Sequence, residues 1–282
     1  MQPVKLAPIS EVRERLAVFA KRTGHLADQG DRERLASEIS RSEIGYARWR
    51  TLASRPQLVH EPSALGWNAH SAIVAQKQGG DLEEATWLAF LTVAIGGRGG
   101  QDPWRAVRFT YSGFGLHPLR WSAVRDDQQP IIESITRSNW TRAELMFGNH
   151  RKFESPERLV KTLVTYAEAV REHGSQRAWL AESHLGDPAR FSRLMADLGA
   201  VSRFGRLARY DFLTLLWSLD LFDLVPDGVH LDGATGPLRG ARRVFGSSLA
   251  IGELERETVE LASELRVTYP ALEDALCNWQ KH

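Results

Sequence analysis

LGAVSRFGRLARYDFLTLLWSLDLFDLVPDGVHLDGATGPLRGARRVFG, residues 198–246, is the stretch whose reading decides the fold. It opens on small residues, Gly199, Ala200 and Ser202, that permit a tight turn. It runs on through an apolar segment, Phe212 to Leu219, with the arginines Arg203, Arg206 and Arg209 ahead of it. It leaves through a Pro/Asp/Gly loop that carries Asp227 and Asp232, and it closes on Arg239, Arg242 and Arg243. No period-2 alternation persists in it, so the pattern is turn, helix, loop, helix.

The same reading extends outward. Ile9, Val12, Leu16, Phe19 and Ala20 keep helical spacing over 9–23, with Ser10 as cap. A more polar helix is expected over 31–53, stopped by Arg55-Pro56. Irregular chain follows to Gly80. Leu82–Ile95 is apolar almost all round, which marks a buried core helix, and it stops at Gly96–Gly100. Pro103 opens a short helix; 112–130 reads as loop with helical turns, and 131–139 as helix. Ser155 and Pro156 start an amphipathic helix that ends at His173-Gly174. Further helices fall at 175–183, 188–197, 253–267 and 271–279. The fold class is all-α, a two-lobed helical bundle. Residues 1–60 read as an N-terminal helical extension packed on one compact domain, 61–282.

The 282 residues are 43% hydrophobic and 25% charged, an ordinary globular balance. One cysteine, Cys277, leaves no internal disulfide and no cysteine-based zinc site, and suits a reducing cytoplasm. MQPVKLAPISEVRERLAVFAKR has no long apolar core, so no signal peptide is expected. No apolar run approaches the ~20 residues of a membrane span. Formal net charge is only +1, so any DNA binding must use a local patch. The charge is unevenly spread, with arginines at 203–209 and 239–243 and glutamates after Gly252.

Four groups could carry chemistry. Arg203, Arg206 and Arg209 are spaced by three, which on a helix places them roughly along one face. With Ser202 and the helix N-terminus they could hold phosphate; a solvated basic face fits the spacing equally well. Asp232 could stabilise an oxocarbenium-like sugar or activate water, with Asp227 and Asp223 as rivals; a turn aspartate capping the next helix is the plainer reading. Asn149, His150 and Arg151, within GNHRK, could grip a phosphate or read a base edge. Trp67, Asn68 and His70 could line a base pocket by stacking and amide pairing, although a tryptophan is more often core. His150 has no second histidine at ligand spacing, so no metal is expected, and no Walker, Rossmann or GxSxG pattern occurs.

The order of these parts resembles the helix–hairpin–helix DNA glycosylase superfamily. More closely, GNHRKFESP, LGAVSRFGRLARYDFL and PDGVHLDG look like the α-glutamyl/putrescinyl-thymine pyrophosphorylases, in particular their second clade. The resemblance covers roughly residues 65–250. The usual hairpin has the form LPGVG; here it reads Leu198-Gly199-Ala200-Val201-Ser202. Phe204 falls near the place where bifunctional glycosylases carry a lysine, which implies no Schiff-base lyase step.

The resemblance implies a monofunctional glycosylase that flips and excises a hypermodified pyrimidine from double-stranded DNA. It would need no cofactor and would act in the cytoplasm in defence against phage with modified DNA. Asp232, or Asp227, would be catalytic. Ser202, Arg203, Arg206, Arg209, Arg239, Arg242 and Arg243 would hold DNA. Trp67, Asn68, Asn149, His150 and Arg151 would line the base pocket. Two other readings remain open: a transferase adding an amine or amino acid to an activated hydroxymethylpyrimidine, and a non-catalytic DNA reader.

Overall fold

A computed structural model describes residues 8–56, 62, 66–138, 140, 145–152 and 154–282, without the side chain of Asn149. The first seven residues, part of the segment read as carrying no leader, lie outside them. So does Asn139, the expected end of one helix. The described residues form helices and loops, with no strand among them. In chain order the α-helices are α1 (Ile9–Thr23), α2 (Gln29–Ala53), α3 (Ala69–Gln78), α4 (Leu82–Ile95), α5 (Arg105–Tyr111), α6 (Trp121–Val124), α7 (Gln129–Thr136), α8 (Pro156–Glu172), α9 (Arg190–Asp197), α10 (Arg206–Ser218), α11 (Gly236–Phe245), α12 (Ile251–Leu265) and α13 (Tyr269–Trp279). None is long and apolar enough to cross a membrane.

The chain divides into two compact units, one made of Met1–Thr51 with Pro226–His282 and the other of Leu52–Val225. The segment from Pro226 onward therefore groups with the N-terminal helices.

The Leu52–Val225 unit is built around α4. This helix is buried from Glu84 to Ile95 except at Val93, as its all-round apolar pattern requires. It packs against α3, α5, α6, α8 and α10. Phe90 is the centre of an aromatic cluster. Tyr166 stacks on it at 3.6 Å, with Phe204 at 4.8 Å and Phe212 at 5.6 Å. Burial of rings this large is the main stabilising term here, at roughly 25 cal/mol per Å² of apolar surface. At the start of α4, the Glu84 carboxylate accepts from the Tyr111 hydroxyl at 2.6 Å and from the Trp121 amide at 2.7 Å. Burial pushes this carboxyl above its usual range.

The other unit buries Leu16 and Phe19 of α1, Leu35 and Ile39 of α2, Val244 of α11, Leu261 of α12 and Trp279 of α13 in one core. α11 and α13 cross closely because α11 presents glycines to α13. A Cβ on Gly240 would lie 2.5 Å from the Leu276 carbonyl oxygen, and one on Gly236 2.4 Å from the Cys277 sulfur. Glu43 on α2 accepts from the Thr268 amide at 2.6 Å and its hydroxyl at 2.9 Å, which fixes the start of α13.

Several expectations change. Helix α3 occupies chain read as irregular; Asn68 caps it, accepting from the Ser71 amide at 3.1 Å. Its apolar residues, Ala69, Ala72, Ile73, Val74 and Ala75, are too crowded to show a period. The cap of α1 is Pro8 rather than Ser10, because the helix begins at Ile9 and takes Ser10 into its first turn. Ser155, by contrast, caps α8 as its position before Pro156 implied.

Candidate functional site

The hairpin lies in the Leu52–Val225 unit. α9 tightens into a 3-10 turn over Leu198–Ala200, and α10 starts at Arg206 behind Gly205, which supplies no side-chain cap. Arg203 is therefore not on the helix. It sits in the turn at φ +61°, a left-handed conformation that non-glycine residues rarely adopt. The expectation of three arginines along one helix face fails for this reason. Only Arg206 and Arg209 share α10.

Each of these arginines has a partner. Arg203 holds Glu154 through Nε at 3.0 Å and Nη2 at 3.1 Å, and this pairing raises its already high pKa. Arg206 lies over the Tyr210 ring at 4.7 Å. Arg209 donates from Nη1 to the Met195 carbonyl at 2.8 Å, tying α10 back to α9, and burial lowers its pKa. The Ser202 amide donates to the Thr165 hydroxyl at 3.0 Å. Phe204 is buried in the aromatic cluster around Phe90, so no side chain at that position reaches outward.

GNHRK is brought against this hairpin. The Gly148 amide donates to the Ile95 carbonyl at 2.9 Å, at the end of α4. A Cβ on Gly148 would lie 2.8 Å from the Gly97 oxygen and 2.9 Å from the Gly96 Cα, so two glycine loops pack back to back. Arg151 is the tie. Its Nε donates to the Ala94 carbonyl at 3.0 Å and its Nη1 to the Arg203 carbonyl at 3.2 Å. Burial lowers its pKa, and Nη2 is buried with no hydrogen-bond partner among the described residues. His150 is exposed beside it.

Trp104 extends this junction. Its ring meets Gly97, where a Cβ would fall 2.8 Å from it, and it contacts the His70 ring at 4.8 Å. Desolvation holds the His70 imidazole down at about 4, hence neutral at pH 7, although part of the residue remains accessible. Asn68, one residue earlier, is occupied as the cap of α3. Trp67 is buried, its indole N–H without a partner among the described residues.

Asp223, the third candidate, is exposed in the same Leu52–Val225 unit, whereas Asp227 and Asp232 lie in the other unit, on the loop before α11. Val229 and Leu231 are fully buried in the core and anchor that loop. The Glu255 carboxylate on α12 accepts three consecutive amides: Val229 at 2.8 Å and His230 at 2.9 Å on Oε1, and Leu231 at 2.7 Å on Oε2. His230 takes φ +56° and meets the Asp227 carboxylate through Nε2 at 2.8 Å. Asp232 differs. It is exposed and makes no hydrogen bond or ion pair with any described residue, and the cap position of α11 belongs to Thr235. Among the arginines of α11, Arg243 bonds Asp31 at 2.8 Å and lies over Trp279 at 4.3 Å. Arg239 and Arg242 are exposed. No group of side chains suited to hold a metal occurs among the described residues.

A family model, alpha-glutamyl/putrescinyl thymine pyrophosphorylase clade 3, matches residues 31–282. The chain belongs to this family. The match is to the third clade of the pyrophosphorylases rather than the second, and it reaches through both units. The family name describes an enzyme of modified thymine, which places the chain among proteins that act on modified DNA bases. No curated protein and no solved structure matches significantly.

Within this family member, sequence reasoning passed over Glu154, Trp104, His230 and Glu255. Glu154 lies inside the quoted motif GNHRKFESP, so its charge beside two cations was a usable signal. Glu255 had none, because it acts on residues 24 to 26 positions away.

Proposed function

We propose that this protein flips a hypermodified pyrimidine, carrying a hydroxymethyl-derived 5-substituent, out of double-stranded DNA and hydrolyses its glycosidic bond. The observation that carries the reading is Asp232: an exposed carboxylate, not engaged by its neighbours, on a loop whose backbone is held from α12. A carboxylate so placed can stabilise the cationic sugar of the transition state or activate water. Asp227 is the lesser contender, because its carboxylate is engaged with His230.

The DNA grip is proposed at Ser202, Arg203, Arg206 and Arg209, with the uncapped start of α10 offering main-chain N–H groups to phosphate. Arg239, Arg242 and Arg243 are proposed to add phosphate contacts, Arg243 least, since Asp31 and Trp279 already engage it. Asn149, His150 and Arg151 are proposed to hold the extruded nucleotide, a role supported by the exposure of His150 beside Arg151, whose Nε and Nη1 tie the turn to α4 and the hairpin. Trp67 and Asn68 are proposed to line the base pocket, although Trp67 is buried and Asn68 already caps α3. The buried Phe204 supports a single hydrolytic step without a lyase reaction. The helix–turn–helix of α9 and α10 supports kinship with the helix–hairpin–helix glycosylases. The proposed setting is the cytoplasm, in defence against phage with modified DNA.

The family name favours a second reading, transfer of an amine or amino acid to an activated hydroxymethylpyrimidine with the glycosidic bond left intact. Purified protein is incubated with DNA bearing hydroxymethylated, glycosylated or amino-acid-linked pyrimidines and, in a separate arm, with an amine or amino acid and DNA whose hydroxymethylpyrimidine carries a pyrophosphate leaving group, and the products are weighed. Free base and abasic DNA support excision. Added mass on the base supports transfer. Bound but unaltered DNA refutes both.

A further inference from the structure

Glu255 has no role in the readings above beyond its place in the core-facing helix α12, yet its geometry is specific. Both carboxylate oxygens are used, and all three donors are successive main-chain N–H groups, at 2.8, 2.9 and 2.7 Å. Charge-assisted bonds of this kind are about twice as strong as neutral ones. The approach is so close that a Cβ on Gly228 would lie 2.7 Å from Glu255 Oε1, so a side chain at residue 228 would displace the carboxylate from its place against the loop. Gly228 itself is not in the left-handed region, so the requirement is one of space and not of backbone conformation. His230, the middle donor, does hold a left-handed φ of +56° and turns its ring to Asp227. Leu231, the last donor, immediately precedes Asp232.

We propose that Glu255 is the positioning residue of the Asp232 loop: it fixes the backbone of 229–231 and so fixes where the Asp232 carboxylate stands. The inference rests on the reading of Asp232 as the reacting carboxylate. Glu255 does not touch the substrate. It acts through the loop, and it also settles which aspartate stays available, because the His230 turn that it holds engages Asp227. Catalytic carboxylates lose rate steeply when displaced; about 1 Å of misplacement can cost about 100-fold.

The test uses the full chain and two variants that break the same contact from opposite sides. Glu255→Gln puts an amide donor against amide donors. Gly228→Ala leaves the carboxylate intact and pushes it off the loop. Hydrogen exchange, thermal unfolding, DNA affinity, kcat and KM are measured, with substrate DNA carrying a 5-hydroxymethyl-derived pyrimidine. Both variants should exchange faster at residues 228–232 only, bind DNA within about twofold of wild type, and lose about 100-fold in kcat with KM little changed. A kcat near wild type in either variant, once its loop exchange has risen, overturns the inference. Exchange rising throughout α12 and α13 with a collapse in Tm in both variants also overturns it, since Glu255 would then be holding the fold. A wild type that alters no base sinks the Asp232 reading and this inference together. An active wild type matched by Glu255→Gln sinks this inference alone.

Discussion

The hairpin at residues 198–210 and the loop at 226–235 attract notice for the same reason, charged side chains set among glycines, yet the fold uses them in opposite ways. In the hairpin every arginine is engaged: Arg203 with Glu154, Arg206 with Tyr210, Arg209 with Met195. In the loop one acid is engaged and one is left over. Asp227 meets His230, whereas Asp232 meets no described residue. A buried or paired charge is part of the architecture, because leaving it unpaired would cost free energy. An exposed, uncommitted carboxylate on a fixed backbone contributes little to the fold. The hairpin arginines therefore contribute to the fold whatever else they do, whereas Asp232 does not, which is why the loop is the proposed seat of the chemistry.

The largest effect expected from this contrast is between the two aspartates. Asp232→Asn should abolish base release, a loss of about 1,000-fold or more in kcat, with folding and DNA affinity retained. Asp227→Asn should cost about tenfold or less and lower Tm, because it loosens His230. Single-turnover kinetics on both variants separates them; equal losses would erase the distinction.

A second effect concerns pH and sharpens the structural half of the comparison. His70, beside Trp104, titrates at about 4 in the fold, against 6.5 for an ordinary histidine. The unfolded chain thus binds more protons than the folded one between these values, and stability rises with pH across that window. The full contribution is present above about 6.5, and on the order of 3 kcal/mol is lost as pH falls to about 4. Denaturant unfolding at pH 7 and pH 4.5 should show the loss. His70→Gln should flatten the slope; an unchanged slope would contradict the assignment.

The smallest effect tests the hairpin directly. Arg209→Ala removes the bond to the Met195 carbonyl and should lower stability by about 1 kcal/mol, with a smaller effect on DNA binding than Arg239→Ala plus Arg242→Ala. The double variant should leave Tm unchanged and reduce the dependence of DNA affinity on salt by about one unit of slope per lost phosphate contact. A reversed pattern would put the weight of the grip on the hairpin side chains rather than on the main-chain N–H groups at the start of α10 and the arginines of α11.

What was legible in the sequence follows from how local each signal is. α4 runs over Leu82–Ile95 as its apolar run and bounding glycines said, and the start of α8 follows from Ser155 and Pro156. Both signals lie within a few residues. α3 was missed because small apolar residues on every face hide a helical period. Arg203 was placed on a helix because a spacing of three cannot reveal that Gly205, two residues on, is the cap. GNHRK was recognisable as polar and basic, but that it packs on Gly96 and Gly97 depends on chain some 50 residues away. The Glu255 clamp was invisible for the same reason: no local pattern tells a glutamate on a surface helix from one that binds three amides of a preceding loop.

The central claim is that the carboxylate left uncommitted, Asp232, carries chemistry on a modified pyrimidine in DNA. The most direct measurement is mass spectrometry of small molecules released when wild-type protein and Asp232→Asn are each incubated with phage DNAs bearing different pyrimidine modifications. The account predicts free modified base and abasic DNA from wild type with at least one such DNA, and neither from Asp232→Asn. Release by both proteins, or by neither, would contradict it.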